Sequence, residues 1–275
     1  MVVNQEVLTV DRVTHARTGL RIKTIALPAE HGGWGLLFEP IALGLLLAPS
    51  VAGLYLALSF VGFFLARQPL TLLMLNRRRS SPRTALARRF LAVYVGIATA
   101  SFLAAFIFSH HAFILPLVIA APLAFVQLAH DSAGRRRVLV SEVAGVIAIS
   151  SLATAIALAG GWSYPAAFAL WAIMIARSVP AILYVRACLA RLHSRSASPL
   201  LMLIAHVLAV LIVGLLIRAQ LAPRLVLAVM IILIARAGIG FARLQRATAK
   251  QIGFSEIGFG ILTVLGVVLG RAFGL

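Results

Sequence analysis

Apolar residues fill long blocks of this chain, and polar residues collect in short stretches between the blocks. A lipid hydrocarbon core of about 30 Å is crossed by roughly 20 helical residues. Nine blocks approach that length: 33–48, 51–75, 86–108, 111–129, 141–159, 165–190, 199–218, 223–244 and 254–273. The pattern predicts an all-α, polytopic integral membrane protein of about nine transmembrane helices. Residues 1–27 read as a polar N-terminal tail without the basic, apolar, small-residue order of a cleavable signal peptide, and 28–275 as a single transmembrane helical domain.

Composition agrees with a lipid-facing exterior, because 62% of the residues are apolar and only 12% charged. The net charge of +18 would suit a nucleic-acid binder, but its placement points elsewhere. Four basic residues lie in the tail, six in 77–89, and three each in 135–137, 186–195 and 243–250, always in alternate connections. The opposite connections are nearly bare, with only Arg218, Arg224 and Arg271 on that side. This is the positive-inside distribution, which predicts a cytoplasmic N-terminus and an external C-terminus in a bacterial cytoplasmic membrane. The basic runs are then topology signals in contact with anionic membrane lipids, and nucleic acid is not expected as a partner. Cys188 is the single cysteine, so no intramolecular disulfide or thiolate cluster is expected.

Three arginines fall inside the blocks: Arg67, Arg177 and Arg236. Each sits in a similar string, LARQP, IARSVP or IARAG, with a helix breaker two or three residues on, a hint of an internal repeat. An arginine near the middle of a span costs on the order of 2.5–3.5 kcal/mol on insertion scales. Arg186 and Arg191 lie close enough to a helix end to snorkel, whereas the three deeper ones need a protein-lined surrounding. Glu39, Glu142 and His206 fall in the cytoplasmic halves of their spans, which leaves the outer halves almost without ionisable groups. A cavity open to the cytoplasm, closed outside and carrying a positive excess is the economical arrangement. Arg67, Arg177 and Arg236 are its expected anion-binding residues, and Glu39, Glu142 and His206 the weak candidates for acid–base work. Plainer readings stand beside these: Glu39 neutralising an arginine, and His206 as a hydrogen-bonded packing residue. His130, Asp131 and Glu142 match no ligand motif, so neither a metal nor a cofactor is expected. Gly266 and Gly270 form a small-xxx-small pair that predicts close helix packing.

The first block opens with LPAEHGGWGLLFEP. His31, Gly32 and Gly33 would lie at a cytoplasmic helix N-terminus, where free backbone N–H groups favour an anion. Alternatively Glu30 caps those donors and Trp34 anchors the interface. The string EHGGWG followed by FEPIALG resembles the opening of the YwiC-like family, which implies a small multi-pass bacterial membrane protein and no particular activity. A weaker resemblance, in architecture, is to the UbiA superfamily of intramembrane prenyltransferases. It implies a UbiA-like bundle with aspartate-rich motifs after spans two and six, where Mg²⁺ holds an isoprenoid diphosphate. Here Asn76 is followed by Arg77 rather than by an aspartate, and residues 177–195 contain no acid. The residues therefore leave open whether the protein is an enzyme. They point to the binding of an anionic or diphosphate-bearing lipid or metabolite, with a secondary transporter or a non-catalytic assembly subunit as alternatives.

Overall fold

The computed structural model describes residues 22–28, 31–76, 81–109, 111–135, 138–194, 199–243 and 248–275, apart from the side chain of His31. Among them there are helices and no strands. The order is α1 (Ile22–Ala26), α2 (His31–Leu47), α3 (Val51–Leu75), α4 (Pro82–Ile107), a 3₁₀ turn (His111–Phe113) running into α5 (Ile114–Ser132), α6 (Leu139–Ala159), α7 (Tyr164–Leu192), α8 (Leu200–Arg218), α9 (Leu225–Ala242) and α10 (Ala249–Phe273). Eight helices, α3 to α10, are long and apolar enough to cross a membrane, and α2 is a shorter apolar helix over Gly32–Leu47. The protein is an integral, multi-pass membrane protein.

Local chemistry sets the helix ends further out than the apolar blocks alone indicate. Ser81 and Thr84 form a reciprocal capping box with Pro82 in the first turn, so α4 starts at 82 instead of 86. Thr248 and Gln251 do the same for α10, which starts at 249 instead of 254. Ser50 accepts a hydrogen bond from the Gly53 backbone N–H (3.0 Å) and starts α3 directly after the turn from α2.

The bundle is built around α6 and α7, the two spans with most of their residues buried; the other long helices present a wide apolar face outward. α6 touches α2, α3, α5 and α7. Its Ala, Ser, Thr and Gly residues allow that, because small side chains let backbones approach where lipid supplies no hydrophobic drive. At Gly44 of α2 an added Cβ would lie 2.8 Å from Ile156 Cβ and 3.2 Å from the Ala153 carbonyl oxygen, so α2 lies almost against α6. Gly62 makes the same kind of approach to α4, 2.9 Å from Ala98 Cβ. Gly266 and Gly270 pack against Val229 of α9 and Pro223 just before it, as their spacing predicts. The end of the tail joins the bundle too: α1 packs on α3 and α4 with Ile25 buried, Gln68 donating to the Thr24 carbonyl and Tyr94 to that of Ala26.

Candidate functional site

Because successive helices alternate in direction, the N-terminal ends of α2, α6 and α10 lie with the C-terminal ends of α3, α5 and α7. These are the ends followed or preceded by the basic connections. Here the six helices surround a cavity of about 390 Å³. Its polar lining is Arg67, Arg177, Arg186, Glu39, Glu142 and Glu256, with Gln127 and the glycines of α2. Along α7 the lining runs from Leu189 down to Arg177, a helical rise of about 18 Å. Beyond that depth Leu43, Ile156, Ile173 and Met174 are fully buried and pack the opposite half of the bundle.

Arg177 stands at the inner wall with 1% of its side chain exposed. Its Nη1 donates to Glu256 Oε2 at 3.2 Å and its Nη2 to the Glu256 carbonyl at 2.7 Å, while Glu39 Oε1 lies 3.5 Å from Nη2. Glu256 is shared. Arg236 Nη2 donates to its Oε2 at 3.1 Å, and Nη1 lies 2.6 Å from Oε1. Arg236 does not line the cavity; its guanidinium is held over the rings of Tyr184 (4.1 Å) and Phe259 (4.7 Å). Glu39 is seated against Gly260 of α10, where any side chain would overlap its carboxylate.

Arg67 has a separate partner, Asp131 on α5, reached through Nε. Asp131 is wholly buried and Arg67 is 23% exposed. No hydrogen bond from the two terminal amino groups of Arg67 forms among the described residues, so four of the five N–H donors of this cavity-lining residue are unused. Thr71 supports the same turn by donating to the Arg67 carbonyl at 2.9 Å, in a stretch where Pro69 removes one backbone donor. At the mouth Arg186 donates to Glu142 at 2.8 Å.

Several expectations change. The three deep arginines do not converge on one chamber: Arg67 and Arg177 line it, and Arg236 stands behind Glu256. The cavity has no positive excess among the described residues, since Arg67, Arg177, Arg186 and Arg236 are met by Asp131, Glu39, Glu142 and Glu256. Burial away from water makes an unpaired charge costly, and every described acid is used to avoid it. Arg186 pairs with Glu142 at the mouth. His206 lies outside the lining, buried on α8, with Nδ1 2.8 Å from the Met202 carbonyl, a packing histidine. Trp34 packs edge-on against Phe64 (5.1 Å), tying α2 to α3. Gly32 and Gly33 do line the cavity; the His31 side chain, Glu30 and Arg77 lie outside the described residues. His130 bonds back to the Val126 carbonyl (2.9 Å), and no group of three or more His, Cys, Asp or Glu able to hold a metal forms among the described residues.

Sequence reasoning passed over Glu256 as the centre of the site, and Asp131 as the partner of Arg67. A signal for the first was present. The T-x-x-Q capping box starts α10 at 249, which puts Glu256 two turns inside the helix instead of at its edge.

No curated protein and no solved structure matches the chain. A family model does, that of the YwiC-like protein, over residues 27–157. The match starts just ahead of the glycine-rich opening of α2 and runs through nearly all of α6, so it takes in Glu39, Arg67, Asp131 and Glu142, while Arg177, Arg236 and Glu256 lie beyond it. Over those residues, with the EHGGWG and FEPIALG strings at their head, the chain is similar to the YwiC-like protein family.

Proposed function

We propose that this protein binds the anionic head group of a lipid or metabolite, phosphate or diphosphate in kind, in the cavity at its basic end. One observation carries the reading. Arg67 is fixed through Nε by a wholly buried aspartate and keeps its two terminal amino groups without a hydrogen bond among the described residues, on the cavity wall. A guanidinium held at one edge and open at the other is preorganised for bidentate contact with phosphate or carboxylate oxygens. Arg177 and Glu39 line the same cavity, and each keeps one further polar atom, Nε and Oε2, closed off from it without a hydrogen-bond partner. The ion pairs leave the lining close to neutral, so the unused N–H donors of Arg67, not a net positive field, would hold the anion. Transfer chemistry of the prenyltransferase type has less in its favour. Asn76 caps α3 by donating to the Leu72 carbonyl at 2.9 Å, and the carboxylates on the wall are committed to arginines.

Mass spectrometry of the compounds retained by gently purified protein tests the reading. The comparison is wild type against Arg67→Gln/Asp131→Asn, which removes both charges of the pair and leaves neither buried alone. The wild type is expected to retain a phosphate-bearing compound that the double variant loses; identical retained sets from the two proteins would overturn the proposal.

A further inference from the structure

Arg67 also lines a second cavity, of about 270 Å³, on the other side of its own turn. Phe64, Arg67, Gln127 and Ile149 belong to both linings, so the charged chamber and this slot share a wall. Their chemistry is opposite. Beyond Arg67 and Gln127 the slot is apolar but for Ser151, whose hydroxyl is used by the Ala148 carbonyl at 2.7 Å. Nothing there offers water the several polar partners that a buried water needs.

The slot arises from small residues. Ala120, Ala121 and Ala124 on α5 face Phe60 and Phe63 of α3, and the two helices touch only sparingly, in contrast to the long contact of α3 with α4. Ala121, Ala124 and Phe63 are exposed on the lipid-facing surface, so the slot opens sideways. From Gln127 to Leu117 it follows α5 for about 15 Å of rise, away from the charged chamber.

We infer that the ligand is an amphiphile: its anionic head sits at Arg67 and a single apolar chain lies in the slot between α3 and α5. The inference rests on the head-group reading above and chooses lipid over water-soluble metabolite. A chain entering from the bilayer covers Phe60, Phe63 and the α5 alanines while its head reaches the fork of Arg67. A head group alone leaves that apolar wall uncovered. The continuity of the two linings at Arg67 selects this occupant over a bilayer lipid resting on the outside.

The test uses the full chain in phosphatidylcholine nanodiscs, with dodecyl phosphate and inorganic phosphate as probes and bound copies counted by native mass spectrometry. Wild type is expected to bind dodecyl phosphate about tenfold or more tighter than inorganic phosphate, a modest demand for a chain of many buried methylenes. Ala124→Trp and Ala121→Phe, two independent fillings of the slot at exposed positions, are expected to abolish that gain and to leave inorganic phosphate binding within about twofold of wild type. A gain that survives in both variants, or a wild type that binds the two probes equally, overturns the chain slot and leaves the head-group reading standing. Arg67→Gln/Asp131→Asn binding both probes as wild type does overturns the head-group reading itself.

Discussion

Glu256 is the residue on which two deep arginines depend. It accepts from Arg177 through Oε2 and through its own backbone carbonyl, and from Arg236 through Oε2, with Arg236 Nη1 in ion-pair contact with Oε1. Removing one partner of a buried pair leaves an uncompensated charge and costs about 3–5 kcal/mol, more than the pair itself contributes. Glu256→Gln is therefore expected to lower the thermal unfolding midpoint in detergent by many degrees. Adding Arg236→Met to that variant removes the cation left without an acid, since Arg177 keeps Glu39, and should recover part of the loss. An additive or worse double variant would show that Arg236 is held by its rings, Tyr184 and Phe259, independently of Glu256.

Helix contacts in this bundle depend on residues without side chains. α2 carries Glu39 and the cavity-lining glycines, and its place is set by the approach of Gly44 to α6. A methyl there meets Ile156 Cβ at 2.8 Å and a carbonyl oxygen at 3.2 Å, neither of which has a rotamer to yield. Gly44→Ala is expected to destabilise by about 1–3 kcal/mol despite the better helix propensity of alanine. Gly214, on α8, has nothing within 4 Å of an added Cβ. Gly214→Ala should therefore unfold at the wild-type temperature or slightly above it, which makes it the control in the same melting series.

At the scale of the whole molecule, the site is one-sided. All of its charged groups lie toward the basic connections, and the other half is closed by fully buried apolar side chains. The distribution of Lys and Arg predicts that the cavity faces the cytoplasm. Cys188 is fully buried, which suits the chain to labelling of introduced cysteines. Ser50→Cys and Gln220→Cys, in the sparsely charged connections, are expected to react with a membrane-impermeant maleimide added to intact cells. Ser81→Cys and Ser194→Cys should react only after the membrane is opened. The reverse pattern would invert the molecule and place the cavity outside.

The linear order of residues determined the spans, their alternation and the side on which charge gathers, because partition into hydrocarbon acts on each stretch of about twenty residues by itself. It also marked Arg67, Arg177 and Glu39 as buried charges that need a protein surrounding. The pairings were decided by the tertiary structure. Arg67 meets an acid 64 positions away and Arg177 one 79 positions away, and nothing in the period of an apolar helix says which face turns to which neighbour. In lipid both faces of such a helix are apolar, so the choice falls to small residues and close approach, as at Gly44, Gly62 and Gly260. That packing drew Glu256 between two arginines, balanced the cavity, placed His206 outside it and set an apolar slot beside Arg67.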